Sequence, residues 1–538
     1  MRTLPSVEGV FIMRLGWRWF RAVMGMTALG GLGMMTGCSS GGEVQEPPDT
    51  GACAADECPA PPPGPPPVDD GNTPPPVDDN TNDEEPPPDS NEQPQQEQPP
   101  PPPPGPGSTL WLAREGTPQD DLALGAAVDV SGDILTASVH GLDDLHTRQP
   151  TDDRVRLVVT RRSAEGETRW QRTFEVRAPE APAELRASVR ARIAADPTGG
   201  ILLAGNVEGL LDFETRELGD GAFVAKLDPN GQLLWASTPR GDGLTAVDLT
   251  VDAQGRARVA FNSNGTADFG GGTRGSGAVV VTYTADGRAD GALRIGRPDG
   301  DTDRVELTTL AVDGRGRLAV GGRYVGSVRF GGQRVESTRD GSPFLALYEE
   351  NALAWAKALH HAQGTVQDVG MDGQGAVVAT GSFLGTVDWA GRKLQGHPYR
   401  ASPFLIAARP AGEERWARDL GDGLQVGALA VEPSGELVLG GFTYNRIEDG
   451  AAGADGLGSA QPVALRYGPD GSSRATRLFL SDPPEARGEL YGLEAMPFVG
   501  FLPDGDALLF GHTDRDSDFG LGRRFAARGD VFLLRLKR

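Results

Sequence analysis

Residues 249–255 read Leu-Thr-Val-Asp-Ala-Gln-Gly: an apolar stretch, then an aspartate, then a glycine three positions later. Further apolar residues follow the glycine. An aspartate at the first position of a tight turn bonds the following amides, and a glycine at the fourth adopts positive φ. The pattern therefore predicts a β-hairpin. Seven copies, separated by 67, 56, 61, 59, 60 and 70 residues, place their turn glycine at Gly132, Gly199, Gly255, Gly316, Gly375, Gly435 and Gly505.

Three further features keep register with the turn glycine. A second glycine, six residues later, indicates close backbone approach or a bend in the second strand; it stands at Gly205, Gly322, Gly381, Gly441 and Gly511. Pairs such as Asp268-Phe269 follow before a third strand, and a fourth strand carries tryptophan, as in Trp170, Trp235, Trp355 and Trp416. Four strands in each of seven units predict an all-β fold, a seven-bladed β-propeller of four-stranded antiparallel blades.

The two ends of this region predict how the propeller closes. The chain stops at Arg538, after the third strand of unit seven, so that unit lacks its tryptophan strand. Trp111 follows Gly107 with the spacing of a fourth strand and has no preceding partners. We therefore expect the N-terminal strand to complete the last blade beside residues 532–536, which leaves no open sheet edge.

The repeated units resemble the bacterial seven-bladed β-propeller (SBBP-like) repeat family. The resemblance rests on stretches such as Phe223-Val-Ala-Lys-Leu-Asp-Pro-Asn-Gly-Gln-Leu-Leu-Trp235 and spans nearly all of residues 108–538. Units one and six depart from the family pattern. Both lack a pair equivalent to Asp268-Phe269, and unit six carries a glycine-rich insertion at 444–461. The resemblance implies an extracellular or surface protein and no particular activity.

The first 38 residues have the features of an export signal. Three arginines, Arg14, Arg18 and Arg21, precede an uncharged apolar run over 22–35, which is shorter than the roughly 20 residues of a membrane-spanning helix. The run ends in Met35-Thr36-Gly37-Cys38, which resembles the bacterial lipobox. That resemblance implies a lipoprotein signal peptide over 1–38, acylation (palmitate) of Cys38 and a membrane anchor. Ser39 after the cysteine implies the outer membrane; the alternative is an ordinary signal peptide.

Residues 39–107 form an acidic, proline-rich tether. They contain 15 acidic residues, no Lys or Arg, and several proline runs, so they cannot bury enough apolar surface to order themselves. We expect this segment to be disordered and to separate the propeller (108–538) from the membrane. Cys53 and Cys58 lie within it, and an oxidising compartment predicts a disulfide between them. With no histidine nearby, zinc binding is rejected.

The net charge of -24 argues against nucleic acid as a partner. Acidic residues recur in the segments leading to the innermost strands, where loops should rim one mouth of the central channel. These acidic residues are Asp120, Asp121, Asp242, Asp301, Asp303, Asp368 and Asp422. They indicate that the mouth binds a cation or a basic partner; the alternative is that they serve only as turn residues. The candidate binding residues at this mouth are Asp242, Asp303, Asp422, His360 and His361.

Two local motifs do not identify a site. Asp268-Phe269-Gly270 and Asp518-Phe519-Gly520 match a kinase signature only in isolation, because both occupy a fixed place in the repeat. Asp514, Asp516 and Asp518 have calcium-loop spacing without the glycine and glutamate that complete such a loop.

These observations predict a monomeric, membrane-anchored propeller in the cell envelope that binds a protein or polysaccharide, with no cofactor, no metal and no catalytic residues. Two alternatives remain open. The first is a propeller enzyme (a lyase, a hydrolase or a quinone-dependent dehydrogenase), which would need carboxylates and bases converging at one mouth. The second is a structural component of the envelope.

Overall fold

The computed structural model describes residues 104–117, 119–142, 155–178, 187–338, 340–397, 399–481, 495–513, 515–524 and 530–538. The predicted signal peptide, most of the tether, and the sites at Cys38, Cys53 and Cys58 lie outside these ranges. The described residues form β-strands joined by turns and loops, with antiparallel pairing throughout the named strands. Within those ranges no helix is long and apolar enough to span a bilayer.

In each of the first three repeat units, four strands pair in chain order; the sheet of unit one also includes Leu210–Asp212 and Glu217–Leu218, which belong to unit two in the sequence. Unit one consists of Asp120–Val128, Ile134–Leu142, Val155–Arg162 and Thr168–Arg177. Unit two consists of Ser188–Ala195, Ile201–Glu208, Gly221–Leu227 and Leu233–Ser237. Unit three consists of Thr245–Val251, Ala257–Asn262, Val279–Tyr283 and Ala289–Arg294.

Units four to six repeat this order. Unit four consists of Arg304–Val312, Leu318–Val325, Ser342–Glu349 and Ala352–Ala358. Unit five consists of Ala362–Met371, Val377–Trp389, Ser402–Ala408 and Glu414–Asp419. Unit six consists of Leu424–Val431, Leu437–Glu448, Ala451–Tyr467 and Ser473–Leu478.

Unit seven is assembled from both ends of the described region. Its strands are Ala495–Phe501, Ala507–Thr513 and Asp530–Leu536, and Thr109–Glu115 pairs with the last of these. Leu112 lies opposite Leu534, as the tryptophan spacing predicts. The remaining short strands are Leu210–Asp212, Glu217–Leu218, Arg240–Gly241, Thr266–Gly270, Thr273–Ser276, Arg297–Pro298, Ser327–Phe330, Gln333–Glu336, Arg392–Gln395, Leu480–Ser481, Ser517–Asp518 and Arg523–Arg524.

All seven turn glycines have positive φ, between 73° and 87°. In the first unit the Gly132 amide donates to the Asp129 carbonyl at 3.0 Å, and the Asp129 carboxylate accepts the Ser131 amide at 2.8 Å. The predicted turn chemistry is confirmed. Because strands alternate in direction, each first strand begins at the end of its sheet opposite this turn. We call that end the loop face.

The two chain ends build a turn without being covalently joined. The Gly107 amide donates to the Lys537 carbonyl at 2.9 Å, and the Lys537 amide donates to the Ser108 carbonyl at 2.9 Å. In the continuous turn of unit two, Gly231 and Asp228 make the equivalent bonds. We call the junction of Lys537 with residues 106–108 the split turn. It gives unit seven the same turn geometry as its neighbours.

The buried apolar side chains form clusters between consecutive units rather than within one unit. One of them joins Leu202 and Val224 of unit two to Val259 and Val281 of unit three. Another joins Leu508 of unit seven to Ile134 of unit one. The hydrophobic contribution to stability, about 25 cal/mol per Å² of buried apolar surface, therefore depends on neighbouring units staying together.

Five tryptophans link neighbouring units through one repeated contact, which we call the indole clasp. Trp416 of unit five donates its Nε1–H to the Pro469 carbonyl of unit six at 2.9 Å, and its ring covers the turn glycine Gly471. In each clasp the carbonyl lies two residues before the next unit's turn residue. The clasps are made by Trp111, Trp170, Trp235, Trp355 and Trp416.

Replacing Trp111 by phenylalanine tests the clasp between units seven and one. The phenyl ring keeps much of the packing but loses the N–H that bonds the Ala164 carbonyl at 2.9 Å. We expect a loss of about 1 kcal/mol in the free energy of unfolding, measured by urea denaturation. Trp170→Phe removes the same bond to Pro229 and should cost a similar amount. Unchanged urea midpoints in both variants would contradict this account.

Candidate functional site

His360 and His361 lie on the loop face, at the entrance to unit five. The Leu359 amide donates to the Pro343 carbonyl at 2.9 Å, and the Ala362 amide donates to the Leu359 carbonyl at 3.1 Å. This tight turn leaves both histidines exposed, with ring centroids 5.2 Å apart at an interplanar angle of 75°. An edge-to-face pair of this kind presents polar ring nitrogens to solvent.

A second aromatic pair, His397 and Tyr399, lies on the same unit. The His397 amide donates to Ser402 Oγ at 2.8 Å, and the Tyr399 amide donates to His397 Nδ1 at 3.1 Å. The two ring centroids are 6.2 Å apart, and Tyr399 is 85% exposed. The local backbone thus holds a large aromatic ring in solvent.

Backbone contacts connect the two pairs. The His361 carbonyl accepts the Thr386 amide at 3.3 Å, and the neighbouring Gly385 carbonyl accepts the amide of Gly396, which precedes His397, at 2.9 Å. All four rings therefore belong to the loop face of unit five. We call His360, His361, His397 and Tyr399 the aromatic patch.

Asp422 joins this region through a hydrogen bond. Ser402 Oγ, which binds the His397 amide, donates to Asp422 Oδ1 at 2.7 Å. Asp242 and Asp303 belong to other units. Asp242 is exposed and its carbonyl accepts the Asn264 amide, while Asp303 Oδ2 accepts the amide of Gly300 in its own loop. His360 and His361 thus lie at the entrance to unit five and Asp422 lies beside its His397 loop, whereas Asp242 and Asp303 remain in separate loops.

Three other acidic residues predicted to rim the mouth lie elsewhere. Asp120 and Asp121 are buried in the first strand of unit one, where Asp121 Oδ1 accepts the Gly141 amide at 3.0 Å. Asp368 lies inside the strand Ala362–Met371. Their placement in loops was therefore wrong. The strands start earlier than the apolar pattern indicates, because the polar residues are satisfied by backbone amides.

A chain of polar contacts runs across the first strands of units one to six. Arg192 Nη1 donates to the Leu124 carbonyl at 3.0 Å, and its Nε lies 4.0 Å from Asp248 Oδ1. Asp248 and Asp368 each accept the amide of the next unit's first strand, from Leu310 at 2.8 Å and from Leu429 at 2.7 Å. Each carboxylate therefore fastens one unit to the next.

Thr309 of unit four lies between the two carboxylates and donates to Asp368 Oδ1 at 3.2 Å. Burial raises the pKa of Asp248. Burial, together with the nearby charge of Asp248, raises the pKa of Asp368 to about 7. Two carboxylates close together in a poorly solvated site favour protonation of one of them.

Because the pKa of Asp368 is raised in the folded protein, the free energy of unfolding should fall as the pH rises. Its pKa is about 7 in the folded protein and about 3.9 in an unfolded chain, so protonation favours folding. This contribution is complete below about pH 4 and is lost as the pH rises towards 7. Between pH 5 and pH 8 we expect the wild type to lose about 2–3 kcal/mol more stability than Asp368→Asn, by urea denaturation at each pH.

Asp248→Asn provides a second measurement of the same effect. Removing the neighbouring charge lowers the pKa of Asp368, so the loss of stability towards pH 8 should also become smaller. A pH dependence that stays the same in both variants would show that the pair does not titrate as described.

Within the described ranges, no group of three or more His, Cys, Asp or Glu side chains is arranged to hold a metal ion. Asp518 Oδ1 accepts the amide of Gly520 in its own turn at 2.7 Å. Asp514 of the rejected calcium motif lies outside those ranges.

No protein-family model matches the chain, and no curated protein matches it. Similar solved structures include the WD40 repeats of RRP9, with 12% identity and a TM-score of 0.43 over 80% of this chain and 99% of that one. An ulvan lyase of polysaccharide lyase family PL25 has 10% identity and a TM-score of 0.41 over 76% and 95%.

A third similar structure is YCF48 bound to a D1 peptide, with 10% identity and a TM-score of 0.35 over 79% of this chain and 97% of that one. These neighbours have β-propeller or WD40-like folds. At these identities the likeness concerns the fold alone.

Proposed function

We propose that this chain is a lipid-anchored, exported β-propeller that binds a protein or polysaccharide through the loop face of unit five, without catalysis. The seven units form a closed, seven-bladed ring, with Thr109–Glu115 as the outer strand of the last blade. The pairing of this strand with Asp530–Leu536 supports the closure. The buried cluster shared by units seven and one supports it as well.

The aromatic patch is the observation that carries the binding proposal. Tyr399 is 85% exposed; its amide donates to His397 Nδ1, and its ring centroid lies 6.2 Å from that of His397. An exposed tyrosine provides a large contact surface with a hydroxyl at its tip, and such residues dominate the energetics of many interfaces. The imidazole rings beside it add polar ring nitrogens suited to sugar hydroxyls or peptide groups.

We infer the cellular localisation of the protein from its N-terminal sequence. Acylated Cys38 anchors the mature chain in the outer membrane, and segment 39–107, with Cys53 and Cys58 joined as a disulfide, extends the propeller away from it. The propeller acts as a monomer. Its acidic balance favours a protein or glycan partner over nucleic acid.

Proximity labelling on intact cells tests the binding site. A labelling enzyme is fused to the C-terminus of the wild-type chain and of Tyr399→Ser, with Leu234→Ser, an exposed apolar residue of unit two, as the matched control. We expect wild type and control to recover the same extracellular partner, and Tyr399→Ser to recover at least about fivefold less, a loss of roughly 1 kcal/mol.

Equal recovery by all three chains would reject the aromatic patch as the binding site. Labelling confined to cell-wall components would favour a structural role in the envelope. Treating the cells with protease or with periodate before labelling distinguishes a protein partner from a polysaccharide.

A further inference from the structure

The indole clasp is missing between units six and seven. At the position that Trp416 occupies in unit five, four residues after the turn glycine, unit six has Ala475. Unit three likewise has Gly291 there. The turn that an indole of unit six would cover is the split turn formed by the two chain ends.

A cleft of about 170 Å³ lies at this position. Ala475 forms one side of it, and Gly107 and Ser108 of the split turn form another. Gly107 has a φ of 75°, as the other turn glycines do, and Gly105 stands two residues before it. By sequence position the Gly105 carbonyl corresponds to the Pro469 carbonyl that accepts the Trp416 Nε1–H. It accepts the Ser108 amide at 3.1 Å and has a second lone pair for an indole N–H.

We propose that this cleft binds the side chain of a tryptophan from a partner polypeptide. The same arrangement, a turn glycine under the ring and a carbonyl two residues before it, receives an indole at five other interfaces of this chain. An indole in the cleft buries a large apolar surface and satisfies its single N–H. The site is separate from the aromatic patch and does not depend on it.

The charged residues that line the cleft predict which residue types flank that tryptophan in the partner. Arg466 and Arg477 both line the cleft. Arg466 already bonds the Gly505 carbonyl and lies near Glu432, Glu436 and Asp506. Arg477 Nε is buried and has no hydrogen-bond partner among the described residues, so Arg477 is the charge open to a partner. Guanidinium groups form their strongest hydrogen bonds with carboxylates. The partner segment therefore carries Asp or Glu next to its tryptophan.

The indole must come from another molecule. Residues 39–107, which lead to the cleft, contain no Trp, Tyr or Phe. Trp17 and Trp19 lie in the predicted signal peptide, which is removed on export. The other tryptophans belong to the clasps already described or, for Trp389, to the core of unit five.

The experiment uses the mature full-length chain and three probes: 5-fluoroindole and the acetylated, amidated tripeptides Glu-Trp-Glu and Lys-Trp-Lys. Binding of the indole is followed by ¹⁹F NMR line broadening, and of the peptides by calorimetry. We expect 5-fluoroindole to bind with a Kd of about 1 mM, typical of a fragment with so few atoms. At low salt Glu-Trp-Glu should bind at least about fivefold more tightly than Lys-Trp-Lys.

Three variants make the test specific to the cleft. Ala475→Trp supplies the missing clasp from the chain itself, so it should abolish binding of every probe and raise Tm. Arg474→Trp adds an indole to the preceding residue, which does not line the cleft, and should leave binding intact. Arg477→Gln should still bind 5-fluoroindole but lose the preference for the acidic peptide.

The proposal is overturned if the wild type binds none of the probes. It is overturned equally if folded Ala475→Trp binds as well as the wild type. Either outcome leaves the Tyr399 experiment unaffected, because the two sites lie on different units.

Discussion

Replacing Gly322 by alanine should lower the free energy of unfolding by about 3 kcal/mol or more. A Cβ at this position would lie 2.0 Å from the carbonyl oxygen of Glu306 and 3.1 Å from Leu307 Cα, on the neighbouring first strand. Both atoms belong to the backbone, so no rotation of a side chain relieves the overlap. The two strands have to separate, which strains the pairing and opens the packing behind it. Urea denaturation with intrinsic tryptophan fluorescence measures the change.

Gly265→Ala is the matched control, because a Cβ there has no atom within 4 Å. We expect its stability to change by less than about 0.5 kcal/mol. Equal losses in the two variants would mean that the cost arises from the backbone freedom of glycine rather than from strand approach. Gly205 and Gly441 show the same close approach, to the carbonyls of Arg190 and Gln425 at 1.9 and 2.0 Å.

The requirement for glycine at this position depends on the local backbone and does not apply to every unit. Unit three has Phe261 at the equivalent position, opposite Ala246, just as Gly322 lies opposite Leu307. The phenyl ring of Phe261 is fully buried beside Phe269. The first strand of unit three therefore leaves room for a side chain that units two, four and six exclude.

The sequence was sufficient to predict the parts of the fold for which one residue type recurs in all or most of the seven units. The turn glycines require positive φ, and the second-strand glycines lie where backbones approach closely, so glycine recurs at both positions. The Trp111 spacing likewise predicted the strand that pairs with Asp530–Leu536. These features can be read from sequence because no other residue type serves as well.

Contacts that are made by different residue types in different units could not be predicted in this way. Seven residues after the turn glycine, Asn206 and Asn262 each accept the amide of the next unit's first strand through Oδ1, at Ala246 and Leu307. In unit seven the equivalent residue is His512, whose Nδ1 accepts the Ala123 amide at 3.1 Å. The role recurs in these three units while the residue type changes, so no repeated residue marks it in the sequence.

The candidate site was only half predictable for a related reason. His360 and His361 were recognisable as an adjacent pair, but Tyr399 was not singled out, because its exposure depends on the backbone around His397. Asp368 was assigned to a loop because a carboxylate in an inner strand is unexpected. The structure shows that a bulge next to Val366 and the amide of Leu429 accommodate it.

The second large effect is a loss of stability at acidic pH that depends on His512. Burial lowers the pKa of His512 to about 3, and its Nδ1 must stay unprotonated to accept the Ala123 amide. In the unfolded chain the pKa is about 6.5, so protons bind the unfolded state preferentially below that pH. The stability that His512 provides is complete above about pH 6.5 and is lost as the pH falls towards 3. At pH 4 the loss should be about 2–3 kcal/mol.

His512→Asn separates this proton effect from the hydrogen bond itself. Asparagine Oδ1 occupies the place of histidine Nδ1 along the side chain and already serves this role at Asn206 and Asn262. The variant should lose about 1 kcal/mol at pH 7 through reduced packing, yet lose less stability than the wild type between pH 7 and pH 4. His361→Asn, at an exposed histidine, should follow the wild-type curve. If His512→Asn also follows that curve, the acid sensitivity arises elsewhere, and the contact between units seven and one is not its cause.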